Sequence, residues 1–194
     1  MANKTEYTPT GSAAWVKVYQ ADYEYKTVEG EFAVDLFLSP EDAAPIIKAY
    51  DKIVKDTIKK EGGKESPDKQ YQLVSELPDK YLDKLAKADF APDPTWYRFK
   101  FRNKEKVNPK GGTEFTNTIK VLDKNGQPLP RDPDAEIGNG SKLRVAYQPF
   151  GWCVSGKTGC KMRLVAIQVI EKNAYSPNGA VAFSAVGEEE DIKF

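Results

Sequence analysis

Apolar and polar residues alternate with the two-residue period of a β-strand over most of this chain. Residues 14–20 (AWVKVYQ) and 30–38 (GEFAVDLFL) both read as strands, the second placing Phe32, Val34, Leu36 and Leu38 on one face. Strand patterning returns at 96–103 (WYRFKFRN), 114–122 (EFTNTIKVL), 141–148 (SKLRVAYQ) and 161–170 (KMRLVAIQVI), with turn signals at Asn125-Gly126 and Gly138-Asn139-Gly140. Between the second and third strands the period changes. Ser39-Pro40-Glu41-Asp42 supplies an N-cap, a proline at the first helical position and acids facing the positive end of a helix dipole. Ile46, Ile47, Tyr50, Ile53, Val54 and Ile58 then recur at helical spacing. Residues 61–69 (EGGKESPDK) read as a loop, and 70–89 as a second helical stretch broken at Pro78.

Two strands, a helical insertion and about four more closely spaced strands describe a mainly β chain. A small closed or half-closed antiparallel barrel with an amphipathic helix over one end fits this order, and the OB-fold is the expected member of that class. A β-sandwich is the alternative. The expected organisation is one domain over residues 1–175, with 39–94 as the helical insertion, followed by a flexible linker and a disordered acidic tail over 176–194. No apolar run approaches the roughly 20 residues that span a bilayer, and MANKTEYTPT lacks a signal peptide's apolar stretch, so no membrane role and a cytoplasmic location are expected.

Net charge is zero, but it sums unlike blocks. Lys142, Arg144, Lys157, Lys161, Arg163 and Lys172 face only Glu171 within 137–172, and six cations face only Glu105 within 98–110, so each block is +5. There is no histidine, which removes every His-dependent catalytic arrangement. Cys153 and Cys160 alone cannot complete a tetrahedral zinc site, so no metal and no cofactor are expected. In a reducing cytoplasm both read as free thiols.

The candidate chemistry lies on three strands. Alternation over 96–102 sets Tyr97, Phe99 and Phe101 on a core face and Trp96, Arg98, Lys100 and Arg102 on the other. Lys142 and Arg144 lie opposite Leu143, Val145 and Tyr147, and Phe150 and Trp152 continue the Arg144 face. Trp15, Lys17 and Tyr19 lie opposite Val16 and Val18. Aromatics that stack on bases beside cations that meet phosphates are what sequence-tolerant binding of single-stranded nucleic acid requires.

Gly151–Thr158 (GWCVSGKT) satisfies the phosphate-cradling pattern G-x-x-x-x-G-K-T. That pattern works only between a strand and a helix. Thr158 is followed by Gly159 and a β-branched run without capping residues, so the segment reads as a hairpin tip, with Lys157 on the basic groove. The chain ends in GEEEDIKF, placing Glu188, Glu189, Glu190 and Asp191 just before Phe194. Behind cationic, aromatic strands such a tail can compete for its own protein's groove.

With these residues in view, the chain resembles the single-stranded-DNA-binding proteins of tailed bacteriophages. Ile137–Trp152 (IGNGSKLRVAYQPFGW) is similar to the family's Gly-rich turn, cationic strand and Pro-aromatic-x-aromatic exit, and GEFAVDLFLSP, WYRFKFRNK and IKVLDKNGQPLP follow the family's order. Two positions depart from it: Ala146 stands where a further cation is expected, and the tail is short. The resemblance implies an OB-fold with Arg144, Phe150 and Trp152 in the DNA groove. It further implies a non-enzymatic protein of the host-cell cytoplasm, monomeric or homodimeric, that coats and protects single strands in phage replication, recombination and repair. Its tail would recruit the phage DNA polymerase and helicase/primase. The alternatives are a nucleotide-binding enzyme using GWCVSGKT and a structural or adaptor domain that binds another protein. Deleting residues 187–194 is expected to tighten oligonucleotide binding at low salt, because the acids act at high effective concentration; affinity measured at two salt concentrations checks it.

Overall fold

A computed structural model describes residues 4–24, 27–109 and 111–175, so the acidic tail, with the linker before it, lies outside the described residues. Five long strands form the frame: β1 (Gly11–Asp22), β2 (Glu31–Leu38), β3 (Tyr97–Lys104), β4 (Lys142–Val154) and β5 (Lys157–Glu171). Their hydrogen-bonded order is β4-β1-β2-β3-β5, and β5 pairs again with β4, so the sheet closes on itself. Closure in the order 1-2-3-5-4 is that of an OB-fold barrel. The β3–β5 seam is thin, a single parallel bridge between Arg102 and Arg163 supplemented by the Asn103 amide, which donates to the Leu164 carbonyl at 2.9 Å.

The barrel core is built from the inward residues of every strand, among them Val34, Leu36, Phe99, Phe101, Leu143, Val145, Leu164 and Ile167. Helix α1 (Pro40–Glu61) follows the expected signals: the Ser39 hydroxyl accepts from the Asp42 amide at 3.2 Å, Pro40 opens the first turn, and Lys59 and Lys60 lie in the last. It buries Ala43, Ile46, Tyr50 and Val54, one stripe at spacings of three and four. That stripe joins the barrel core.

Four local expectations give way. Residues 70–78 are not α-helical: Tyr71–Leu73 pairs with β3, Val74–Glu76 makes only a short 3-10 turn, and Leu77, extended before Pro78, delays the second α-helix, α2, to Asp79–Ala86. The expected strand 114–122 is two pieces, Phe115–Thr116 and Lys120–Leu122, parted where Asn117 turns its amide to the Lys104 carbonyl at 2.8 Å. The expected ends near 148 and 161 were too short, since β4 and β5 run on to Val154 and from Lys157. The alternation at 14–20 is also broken: Trp15 has φ 52° and the register shifts between Ala14 and Lys17. Among the described residues no helix is long and apolar enough to cross a membrane.

The segment carrying α2 folds over the outer face of β2 and β3. There Phe37, Ala14, Val74, Leu77 and Leu85 make a second hydrophobic cluster, against which Trp15, Tyr81, Phe90 and Trp96 pack. Beside it Asp35, with a side chain only 2% exposed, holds Arg102 and lies 3.8 Å from Arg98. The Tyr81 hydroxyl donates to the same carboxylate, and the Arg98 guanidinium lies over the Tyr81 ring. Burial and the Asp35 charge hold the Tyr81 phenol well above its ordinary pKa. Removing one partner of a buried ion cluster leaves the others uncompensated. Asp35→Ala is therefore expected to destabilise the fold by about 3–5 kcal/mol in denaturant unfolding, well beyond a surface acid-to-alanine change.

Candidate nucleic-acid interface

Strands β4 and β5 form one long antiparallel hairpin, with Val154 opposite Lys157 and a two-residue turn whose residues, Ser155 and Gly156, have φ 49° and 73°. Such a type I′ turn matches the twist of the flanking strands. Counting back from it sets Trp152 opposite Gly159, Phe150 opposite Lys161 and Gln148 opposite Arg163. A register shift follows between Ala146 and Tyr147, and then Ala146 faces Ala166 and Arg144 faces Gln168. The outer face of this arm is thus one strip of aromatic, cationic and amide side chains.

The arm's inner face rests on α1. Cys160 and Met162 are buried there, and a side-chain carbon at Gly151 would lie 1.9 Å from the Thr57 hydroxyl. Burial pushes the Cys160 thiol up to about 12; Cys153, at the rim, is half-buried, and both are free. On the outer side a carbon at Gly159 would come within 2.6 Å of the Trp152 ring, so the glycine lets the indole lie across β5. The Arg163 guanidinium lies 5.0 Å from the centre of the Phe150 ring, an ordered cation over an aromatic face. Among the described residues no ion pair engages Arg144, Lys157 or Arg163.

The β3 face differs from its expected form. Arg98 is buried and committed to Asp35 and Tyr81, Arg102 to Asp35 and Glu31, and Lys104 to Glu29 at 2.6 Å. Burial, then the neighbouring guanidiniums, lowers the pKa of Lys100. Trp96 precedes the strand and packs on the α2 cluster, so an open aromatic and cationic face does not exist there. The physical reason is the register: β2 sets Glu31 and Asp35 directly among the β3 cations. Trp15 meets Tyr81 edge-on, Lys17 is exposed, and the Tyr19 hydroxyl donates to the Leu129 carbonyl at 3.0 Å. Lys142 donates to the Ser12 hydroxyl at 2.8 Å, while Arg144 stays exposed at the far end of the strip.

The structure therefore brings Arg144, Phe150, Trp152 and Lys157 onto one face and sets Trp15, Trp96 and Arg98 apart, while Arg102 lies beside Arg163 at the seam but is held by Asp35 and Glu31. It adds Lys161 and Arg163, which sequence reading counted as charge without giving them a place. Their signal was present, because counting back from a two-residue turn pairs them with Phe150 and Gln148. Gly151–Thr158 lies in the hairpin tip and opens no helix.

This architecture, a closed OB barrel with a long β4–β5 arm, has neighbours among solved structures. The chain has the fold of phage single-stranded-DNA-binding proteins. It matches gp2.5, encoded by bacteriophage T7, with a TM-score of 0.61 and 18% identity over 96% of this chain and 100% of that one. The protein of bacteriophage Enc34 matches at TM-score 0.61 and 11% identity over 91% of this chain and 86% of that one. Its complex with single-stranded DNA gives 0.61 at 10% identity, covering 87% of each. No protein-family model and no curated protein matches the sequence. Gly159→Ala should lift the Trp152 indole off β5; a red-shifted tryptophan emission and easier acrylamide quenching, with unchanged secondary structure, would register it.

Proposed function

We propose that this chain binds single-stranded DNA without sequence preference and without catalysis, through the outer face of the β4–β5 arm. One observation carries this reading: Phe150 and Trp152 lie cross-strand from Lys161 and Gly159, with Arg163 stacked on Phe150 and Lys157 at the tip. Bases stack on such aromatics while phosphates run past the cations, and every base has a ring face, so sequence is tolerated. The solved complex of the Enc34 protein with single-stranded DNA supports the reading from the same fold. Trp15, Lys17, Tyr19, Trp96, Arg98, Lys100, Arg102 and Lys142 form at most a secondary part of the path, since most of these side chains are already engaged.

The nucleotide-hydrolysis alternative lacks its geometry, because a phosphate cradle needs a helix N-terminus after the loop and β5 stands there instead. In the fuller proposal the protein coats strands in the host cytoplasm during phage replication, recombination and repair. Glu188, Glu189, Glu190, Asp191 and Phe194 would then compete for the groove and recruit the polymerase and helicase/primase.

Titration of a fluorescent poly-dT oligonucleotide at two salt concentrations tests this. Phe150→Ala or Trp152→Ala should each weaken binding by about 1–3 kcal/mol. Arg163→Ala should flatten the slope of log K against log salt by roughly 0.7. Binding that is absent at every salt would favour the adaptor reading, and magnesium-dependent hydrolysis lost in Lys157→Ala would favour the enzyme.

A further inference from the structure

Phe115 is 49% exposed, on a short strand that pairs with Lys106–Val107 outside the barrel, and it belongs to neither hydrophobic cluster. A single exposed ring is ordinary on a protein surface, and its place in the fold is what gives this one meaning. Here it lines a cleft at the thin β3–β5 seam. Phe115 and Asn117 contribute from one side, and Phe150, Lys161 and Arg163 from the β4–β5 arm. The cleft holds about 230 Å³, below the roughly 300–1,000 Å³ of sites that take drug-sized molecules, and so suits a single ring system.

Its polar groups are those a base edge would meet. Asn103 spends its amide N–H on the Leu164 carbonyl at 2.9 Å, and Asn117 spends its own on the Lys104 carbonyl at 2.8 Å. Each keeps its side-chain oxygen as an acceptor beside the cleft. Arg163, resting on Phe150, offers its guanidinium plane for stacking. Among the described residues no carboxylate lines the cleft, whereas Arg102, Lys104, Lys161 and Arg163 do.

We infer that this cleft is a slot for one nucleobase, turned out of a single strand that lies along the β4–β5 face and held against Phe115. The inference rests on the single-strand reading above and adds to it a site at the edge of the strip, between the arm and Phe115. The strand would pass Trp152 and Phe150 and place one base in the seam.

The full chain with Phe115→Ala, Phe115→Leu or Phe115→Trp is titrated with oligo-dT and oligo-dC beside Phe150→Ala and Trp152→Ala. Leucine keeps apolar cover over the hairpin and removes only the ring face, which separates stacking from folding. Ala and Leu should both weaken binding, by roughly 5- to 150-fold for one lost stack, and Trp should retain it. The salt dependence should not change in any Phe115 variant, since no cation is lost. Wild-type affinity in Phe115→Leu, with Phe150→Ala and Trp152→Ala weakened, overturns the slot and leaves the proposed function standing. Failure of the unaltered chain to bind either oligonucleotide overturns both.

Discussion

The support of the β4–β5 arm by α1 is the contact on which the candidate surface depends. A two-stranded ribbon standing alone in water is marginal, because only one of its faces can be covered by its own turn and neighbours. Here the inner face is covered by Tyr50, Val54 and Thr57, and position 151 is occupied by glycine where the Thr57 side chain leaves no room for a larger residue. Once the inner face is fixed, the period of two fixes the outer one, and Phe150, Trp152, Lys161 and Arg163 are held out together. The helix that reads as an insertion in the sequence is therefore part of the foundation of the β4–β5 arm.

Charge is arranged in the same way, by pairing some cations and leaving others open. On the β3 face Glu29, Glu31 and Asp35 engage Lys104, Arg102 and Arg98, and low exposure makes Asp35 a partner that the two arginines cannot easily exchange for phosphate. On the arm, among the described residues, no ion pair engages Arg144, Lys157 or Arg163. A chain with net charge zero can thus carry an electropositive strip, since the field at a surface depends on which charges are compensated locally.

How far the sequence carried depended on how local each cause was. Ser39, Pro40 and the stripe from Ala43 to Val54 act within one helix, and the alternation over 30–38 within one strand, so both were legible and the barrel followed from their order. The break at Trp15 was not, because what holds its backbone amide is the Asn139 side chain, 124 residues away, at 3.0 Å. The neutralisation of Arg98 and Arg102 was hidden for the same reason: Asp35 reaches them only through cross-strand register. Lys161 and Arg163 lay between these cases. Their spacing was visible, and their partners needed only the length of the turn. The tail, on which part of the reading rests, lies outside the described residues.

The thin seam between β3 and β5 gives the arrangement its direction. Two arginines, Arg102 and Arg163, meet at its single bridge, and like charges side by side are tolerable because each turns to a different partner. Arg102 turns to Asp35 and Glu31 on the β2 side, and Arg163 turns to Phe150 on the arm. The seam therefore divides a compensated surface from an open one. On one side of Arg102 the cations are paired with carboxylates, and on the other Arg163 lies over an aromatic ring with no ion pair among the described residues, so the local field differs across the seam. Phe115 stands at that boundary, where a strand following the cations of β5 would first come within reach of the barrel's own loops.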